Sequence, residues 1–394
     1  TIIVKGENNM ENQKIIYRKD NKLFFNINVF KEFYIPILFI LFFIQQSVYG
    51  SKIFNGLGIS GLLAIFFIIV FIKNINKIPK TVIFCYSILI AYTFFIVYSK
   101  GEDWNNWIIS ILSLASVGLF ININITESQL KKGLIYTGIL ANIILIIYNF
   151  GNYLKGWNSN TVGLLTTIGT LGTVVAYKMQ TNKKSKILNM MLVLFSIYMV
   201  FLTGNRNSLL VILISFITII LIKAKNWKKY IVLTYLVIAL SLPILVVKTT
   251  NQVNNIAILN YITSKTEGFF NKDTIFSGRE EIWKIGEELT KNSRWIGNGE
   301  SLYNYLYVHN MYYSVVYFFG IIGYLVYCTY IYNVVKVGLK DASELQIHCI
   351  LLFIAILFEQ IAENTLFTAK LNTFMPYLFL SIAINKRLKE VKGK

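Results

Sequence analysis

Apolar residues in this chain come in long unbroken runs rather than in strict alternation. From Phe33 onward, runs close to the ~20 residues that cross a bilayer recur between short polar breaks. Their approximate spans are 33–50, 56–72, 80–98, 104–122, 130–150, 160–178, 187–203, 207–222, 229–247, 310–333, 345–367 and 373–385. Segments of this length with few internal charges predict helices, because a helix satisfies its own backbone groups in lipid. The expected fold class is an all-α polytopic membrane protein with about 12 transmembrane helices, plus one long outer loop carrying short amphipathic helices. Residues 1–32 are polar and basic and read as a cytoplasmic N-terminal segment; the first methionine is Met10, and residues 1–9 are set aside as upstream sequence. The first run follows a basic stretch, as a signal peptide would. No small-residue cleavage pattern follows it, so it is kept as helix one. The resulting organisation is helices one to nine over 33–247, an outer segment over 248–309, helices ten to twelve over 310–385, and a cytoplasmic tail over 386–394.

Composition sharpens this picture. The chain is 55% hydrophobic and 14% charged, where a soluble domain carries about 25% charged residues, so a water-soluble enzyme or nucleic-acid binder is excluded. The net charge of +19 resolves into an orientation signal. With the amino terminus in the cytoplasm, 26 of the 38 Lys and Arg fall on inner segments, five on short outer turns and seven in 248–309. Such a bias orients a membrane protein, and it removes the motive for a nucleic-acid partner. Cys85, Cys328 and Cys349 lie in apolar runs without CxxC or Cys/His spacing, which fits packing residues and neither a disulfide framework nor a zinc site. Inner loops are short, no nucleotide-binding motif is present and no internal repeat stands out. The one large extramembrane piece is 248–309, and a loop that long in a compact protein is usually functional.

Unusual residues gather at this outer side. Ser277 and Glu280 form a capping-box pattern that opens a short helix with Ile282, Ile285 and Leu289 on one face. Arg279 sits in its first turn, where orphan N–H groups and the dipole suit a phosphate; a surface arginine on a capped helix has the same local sequence. Arg206 lies in the tight outer turn Thr203-Gly204-Asn205-Arg206-Asn207-Ser208, against the charge bias and at hydrocarbon depth. An arginine there faces a wet cavity or a fixed anion, or snorkels to the interface. Of the two histidines, His348 is placed near the inner end of span eleven as a packing or interfacial residue. His309 stands at the junction with span ten, either as a proton acceptor or as one more residue of an aromatic belt. Glu359 and Glu363, four apart in span eleven, mark either an ion path or partners for a buried arginine. Trp157 and Asn160, in the outer turn before span six, are candidates for stacking on and hydrogen-bonding sugar rings.

Three segments in order carry a resemblance: Thr203-Gly204-Asn205-Arg206-Asn207-Ser208; Ser277-Gly278-Arg279 with Trp283 four residues on and Ile296-Gly297-Asn298-Gly299 following; and His309-Asn310 ahead of Phe319-Gly320-Ile321-Ile322-Gly323. Together they resemble the O-antigen ligase and polymerase superfamily of bacterial envelope proteins, over residues 203–323, with Asn205 and Asn207 where the family pattern has Ser and Gly. The resemblance implies a metal-independent, cofactor-free membrane glycosyltransferase working on the outer face of the bacterial cytoplasmic membrane. Its donor and acceptor would be oligosaccharides linked to undecaprenyl pyrophosphate, and a chain-length regulator and a flippase would be its partners. In that setting Arg206 and Arg279 hold the pyrophosphate, His309 takes the acceptor's proton, and Asn310, Trp157, Asn160, Glu359 and Glu363 complete the substrate site. The first expectation is a repeat-unit polymerase for a capsular or O-antigen-like polysaccharide. Its alternatives are a ligase that moves the finished glycan to another acceptor, and a transporter or flippase of lipid-linked oligosaccharide. A transporter would place charges deep in several spans, whereas here they are confined to Glu359 and Glu363.

Overall fold

A computed structural model describes residues 29–46, 59–100, 103–121, 123–151, 159–221, 228–253, 279–302, 306–363, 374–385 and 388. Among these the chain is helical and contains no strand. The helices are α1 (Tyr34–Gln46), α2 (Ile59–Lys73), α3 (Lys80–Lys100), α4 (Trp104–Ala115), α5 (Glu127–Phe150), α6 (Ser159–Lys178) and α7 (Lys183–Leu202). They continue with α8 (Arg206–Leu221), α9 (Lys228–Val253), α10 (Arg279–Thr290), α11 (Met311–Leu339), α12 (Glu344–Glu359) and α13 (Phe374–Ala383). Every predicted apolar run overlaps one of them, and α10 is the short helix expected after Ser277. Five, namely α3, α5, α7, α9 and α11, are long and apolar enough to cross a membrane.

Capping residues set where helices start. Thr126 and Gln129 exchange side-chain and backbone hydrogen bonds ahead of α5, and Ser343 and Gln346 do the same ahead of α12. Gln346 works twice, since its Nε2 also donates to the carbonyls of Ile382, Ala383 and Asn385, closing the end of α13. Each such bond removes an orphan group that lipid could not satisfy.

Helix α12 is the axis of the fold. It packs on α6, α8, α9, α11 and α13, and is buried along nearly its whole length. Around it the outward faces are as apolar as the core. On α7 the apolar Leu188, Met191 and Tyr198 are exposed while Asn189 and Ser196 are buried, and Ser196 accepts from Asn142 Nδ2 at 2.6 Å. Large apolar side chains turned outward, with a polar contact such as Ser196–Asn142 between helices inside, are what lipid as solvent selects. This is a multi-pass membrane protein.

Two expectations need correction. Span eleven was read as helical through Glu363, but α12 ends at Glu359, and Glu363 follows in a non-helical segment. On α10 the docked face is Trp283, Gly286 and Thr290, whereas Ile285 and Leu289 are exposed. Trp283 wins because its Nε1 reaches the carbonyl of Val308 at 2.9 Å, which satisfies a buried indole N–H that would otherwise be costly. Ser277 and Gly278 lie outside the described residues, as does Trp157.

Candidate active site

The site is built where four chain segments end at one pole of the bundle: the start of α8, the start of α10, the start of α11 and the end of α12. The α8 turn forms because Gly204, at φ +70, takes a left-handed conformation with open space where a Cβ would project. Asn205 then caps α8, its Oδ1 accepting from the Ser208 backbone N–H at 3.0 Å. Two side chains of this first turn dock on the end of α12. Asn207 Nδ2 donates to the Glu359 carbonyl at 3.0 Å, and Ser208 Oγ donates to Glu359 Oε1 at 2.6 Å. Arg206, partly buried between these anchors, lies within electrostatic reach of Arg279. Burial and the like charge of Arg279 both penalise the Arg206 cation, and an anion near the two guanidinium groups would relieve that penalty.

Glu363 is the hub of the site. Its Oε1 accepts from Arg279 Nη2 at 2.9 Å. Its Oε2 accepts from Tyr307 Oη at 3.3 Å and lies 3.3 Å from His309 Nδ1. The carboxylate side chain is only 5% exposed, against 14% for Arg279 and 19% for His309. Tyr307 crosses His309 edge to face, with ring centroids 4.1 Å apart. If the Nδ1 proton is donated to Glu363, Nε2 is left as the acceptor nitrogen, the tautomer a general base requires.

His309 is held from both sides. Before it, Val308 is fixed by Trp283 of α10. After it, Asn310 is fully buried and caps α11, its Oδ1 accepting from the N–H groups of Tyr312 and Tyr313 at 2.9 and 3.4 Å. Its Nδ2 donates to the carbonyls of Pro243 and Ile361 at 3.2 and 3.0 Å. His309 itself carries φ 49, a left-handed backbone that a side chain rarely adopts. Such a conformation persists only where the surroundings over-determine it, and here α9, α10 and the segment after α12 all take part.

Of the candidate residues named from sequence, Arg279, His309 and Glu363 therefore meet directly, and Arg206 stands beside them. Glu359 pairs with Ser208 rather than with an arginine, and its Oε2 is buried without a partner. Asn310 directs both its donors and its acceptor at backbone groups. Asn160 falls in the first turn of α6, and its side chain is not described. Tyr307, Trp283 and Ser208 were not singled out from sequence. Trp283 and Ser208 stood inside the quoted motifs, and Tyr307 lies two residues before His309. His348 is remote, on α12 near Lys178 and Lys228. Among the described residues no three His, Cys, Asp or Glu side chains cluster to hold a metal ion.

A second feature lies beneath the site. Helix α11 is broken at Gly320, whose φ of 71 and ψ of 178 are not helical. Residues of the segment after α10 fill the gap. Asn298 and Gly299 donate their N–H groups to the carbonyls of Tyr317 and Phe318 at 2.7 and 3.0 Å, while Ile321 and Ile322 donate to the carbonyls of Arg294 and Trp295 at 2.8 and 3.3 Å. The Ile296-Gly297-Asn298-Gly299 motif is thus a splice in a broken helix, with Gly297 and Gly299 at φ +89 and +75.

A family model described as O-antigen ligase matches residues 191–328, which span Arg206, Arg279, His309 and the Gly320 break. No curated protein matches the chain. The family match supports membership of the O-antigen ligase/polymerase superfamily and implies a membrane enzyme of the ligase/polymerase type. Glu359 and Glu363 lie beyond the matched residues.

Proposed function

We propose that this member of the O-antigen ligase/polymerase superfamily is an oligosaccharide repeat-unit polymerase, which joins units carried on undecaprenyl pyrophosphate into a surface polysaccharide at the outer face of a bacterial cytoplasmic membrane. The observation that carries the reading is the convergence of Arg279, His309 and Glu363 from segments 30 and 84 residues apart, beside the Arg206 turn. In the reaction the acceptor hydroxyl oxygen attacks the anomeric carbon of the donor sugar. The bond from that carbon to the phosphate oxygen breaks, and its electron pair leaves with the lipid pyrophosphate. Arg206 and Arg279 stabilise the charge that accumulates there, and they do so as planar forks matched to phosphate oxygens. His309 takes the hydroxyl proton at Nε2 as the new glycosidic bond forms.

The test is polymerisation of purified lipid-linked repeat units by the reconstituted protein. His309→Gln keeps some hydrogen bonding but cannot act as the base, and turnover is expected to fall by roughly 10²–10⁴-fold with expression unchanged. His348→Gln serves as the control. Arg206→Lys and Arg279→Lys keep one charge but lose the fork, and most activity should go with it. Near-normal product from His309→Gln removes the base assignment. A wild-type protein that moves units across a bilayer without joining them would point instead to a transporter, and transfer of a finished chain to a non-repeat acceptor would point to a ligase.

A further inference from the structure

Glu363 engages Arg279 Nη2, an N–H donor that a phosphate at Arg279 would compete for. It forms an ion pair with Arg279 through one oxygen and faces His309 Nδ1 and Tyr307 through the other, so a single buried carboxylate is shared between the group that binds the leaving group and the group that takes the proton. The Arg279 Nη2 donor bonded to Glu363 is not at the same time available to a pyrophosphate, and a carboxylate neutralised by Arg279 polarises the imidazole less. We infer that Glu363 is a positioning residue that stands in for the donor's pyrophosphate in the empty enzyme and is handed over to His309 when the donor binds. This rests on the reading of Arg279 and His309 given above and adds an order of events to it.

The hand-over follows from charge. The pyrophosphate arrives with more negative charge than one carboxylate carries, and meets Arg279 together with Arg206, whose charge is already within reach. Arg279 leaves Glu363 for the phosphate oxygens. Glu363 is then a buried carboxylate whose remaining partners are His309 and Tyr307, so it gains most by accepting fully from Nδ1–H, which locks the imidazole tautomer with Nε2 as the free acceptor nitrogen. The base is thereby armed only when a donor is in place. Premature deprotonation of a sugar hydroxyl or of water, with no electrophile present, is disfavoured. Once the lipid pyrophosphate departs, Arg279 returns to Glu363, which competes with the product and speeds its release.

The charged and titratable groups around His309 are Glu363 and Tyr307 directly, Arg279 through Glu363, and, at the neighbouring α8–α12 junction, Arg206 and the Ser208-bonded Glu359. Of these, Glu363 is the one whose removal separates the two halves of the site. In Glu363→Gln, Arg279 loses its internal competitor. Farnesyl pyrophosphate, a short stand-in for the donor lipid, should bind the purified protein about fivefold or more tighter, in the range of ordinary coupling between ligands. Turnover should fall roughly 10²-fold. KM and kcat then fall together. A residue needed only for packing would raise KM, or lower the amount of folded protein. Weaker or unchanged pyrophosphate binding by a folded Glu363→Gln protein overturns the hand-over. If Arg206→Gln and Arg279→Gln also bind farnesyl pyrophosphate like the wild type, the arginine assignment itself has failed, which is a separate outcome. Should Glu363→Gln not fold, the wild type still decides. With His348→Gln as background, the His309 Nδ1 proton resonance should move downfield when farnesyl pyrophosphate is added, as the carboxylate turns wholly to it. An unmoved or upfield resonance counts against the proposal.

Discussion

Asn310 shows how much of an active site is held by side chains that never touch substrate. An amide offers two donor hydrogens and a carbonyl oxygen with two lone pairs, and this one spends all four on backbone groups of three segments. Replacing it with Ala removes an N-cap and strands two buried carbonyls, for a cost of about 2–4 kcal/mol. Asn310→Asp keeps the cap and loses only the donors. Thermal unfolding in detergent should therefore rank wild type above Asp above Ala, with activity falling in the same order because His309 loses its fixed backbone. The opposite order would mean that an Asp carboxylate facing the Pro243 and Ile361 carbonyls costs more than the retained cap contributes. The histidine-asparagine pair was legible in the sequence as a motif, but the division of labour inside it was not. Nothing local distinguishes an asparagine that reaches a sugar from one that secures a turn until the carbonyls of Pro243 and Ile361 are known to face it.

At the scale of elements, the apolar runs were read correctly as helices because length and the absence of internal charge leave few alternatives in lipid. The break in α11 was hidden for the same reason: Phe319-Gly320-Ile321-Ile322-Gly323 is as apolar as its surroundings, and a run of hydrophobicity does not register a change of φ. Gly320 is the position to test. A Cβ there would collide with the Trp295 backbone in a conformation already unfavourable for L residues. Gly320→Ala is expected to destabilise by at least about 3 kcal/mol, or to abolish accumulation of folded protein. Gly338→Ala on the same helix is the control, since its Cβ would first meet the side-chain end of Ile350 at 3.2 Å. A thermal midpoint for Gly320→Ala equal to that of Gly338→Ala would show that the splice is not under strain. The turn at α8 makes a similar demand of α6, where a Cβ on Gly163 would strike Asn205 and Ser208. Gly163→Ala should therefore lower activity through Arg206 more than it lowers stability.

For the whole molecule, orientation rests on the distribution of Lys and Arg, and single-cysteine labelling tests it. Glu288→Cys on α10 should react with an impermeant reagent in intact cells, while Lys183→Cys at the start of α7 should react only after lysis; the reverse pattern would turn the site to the cytoplasm. The hub at Glu363 was the least legible part of the site, because the helix that carries Glu359 stops before it and the chain must leave helical geometry for its carboxylate to face Arg279. The splice also sets an order of biogenesis. Four backbone groups around Gly320 find their partners in residues 294–299, and left bare in hydrocarbon each would cost several kcal/mol. As α11 leaves the translocon, the strip it needs has just been synthesised ahead of it and is tethered by a short stretch of chain. The span and its strip therefore satisfy these groups only together, and a chain lacking 294–299 should leave α11 with four bare backbone groups at its break.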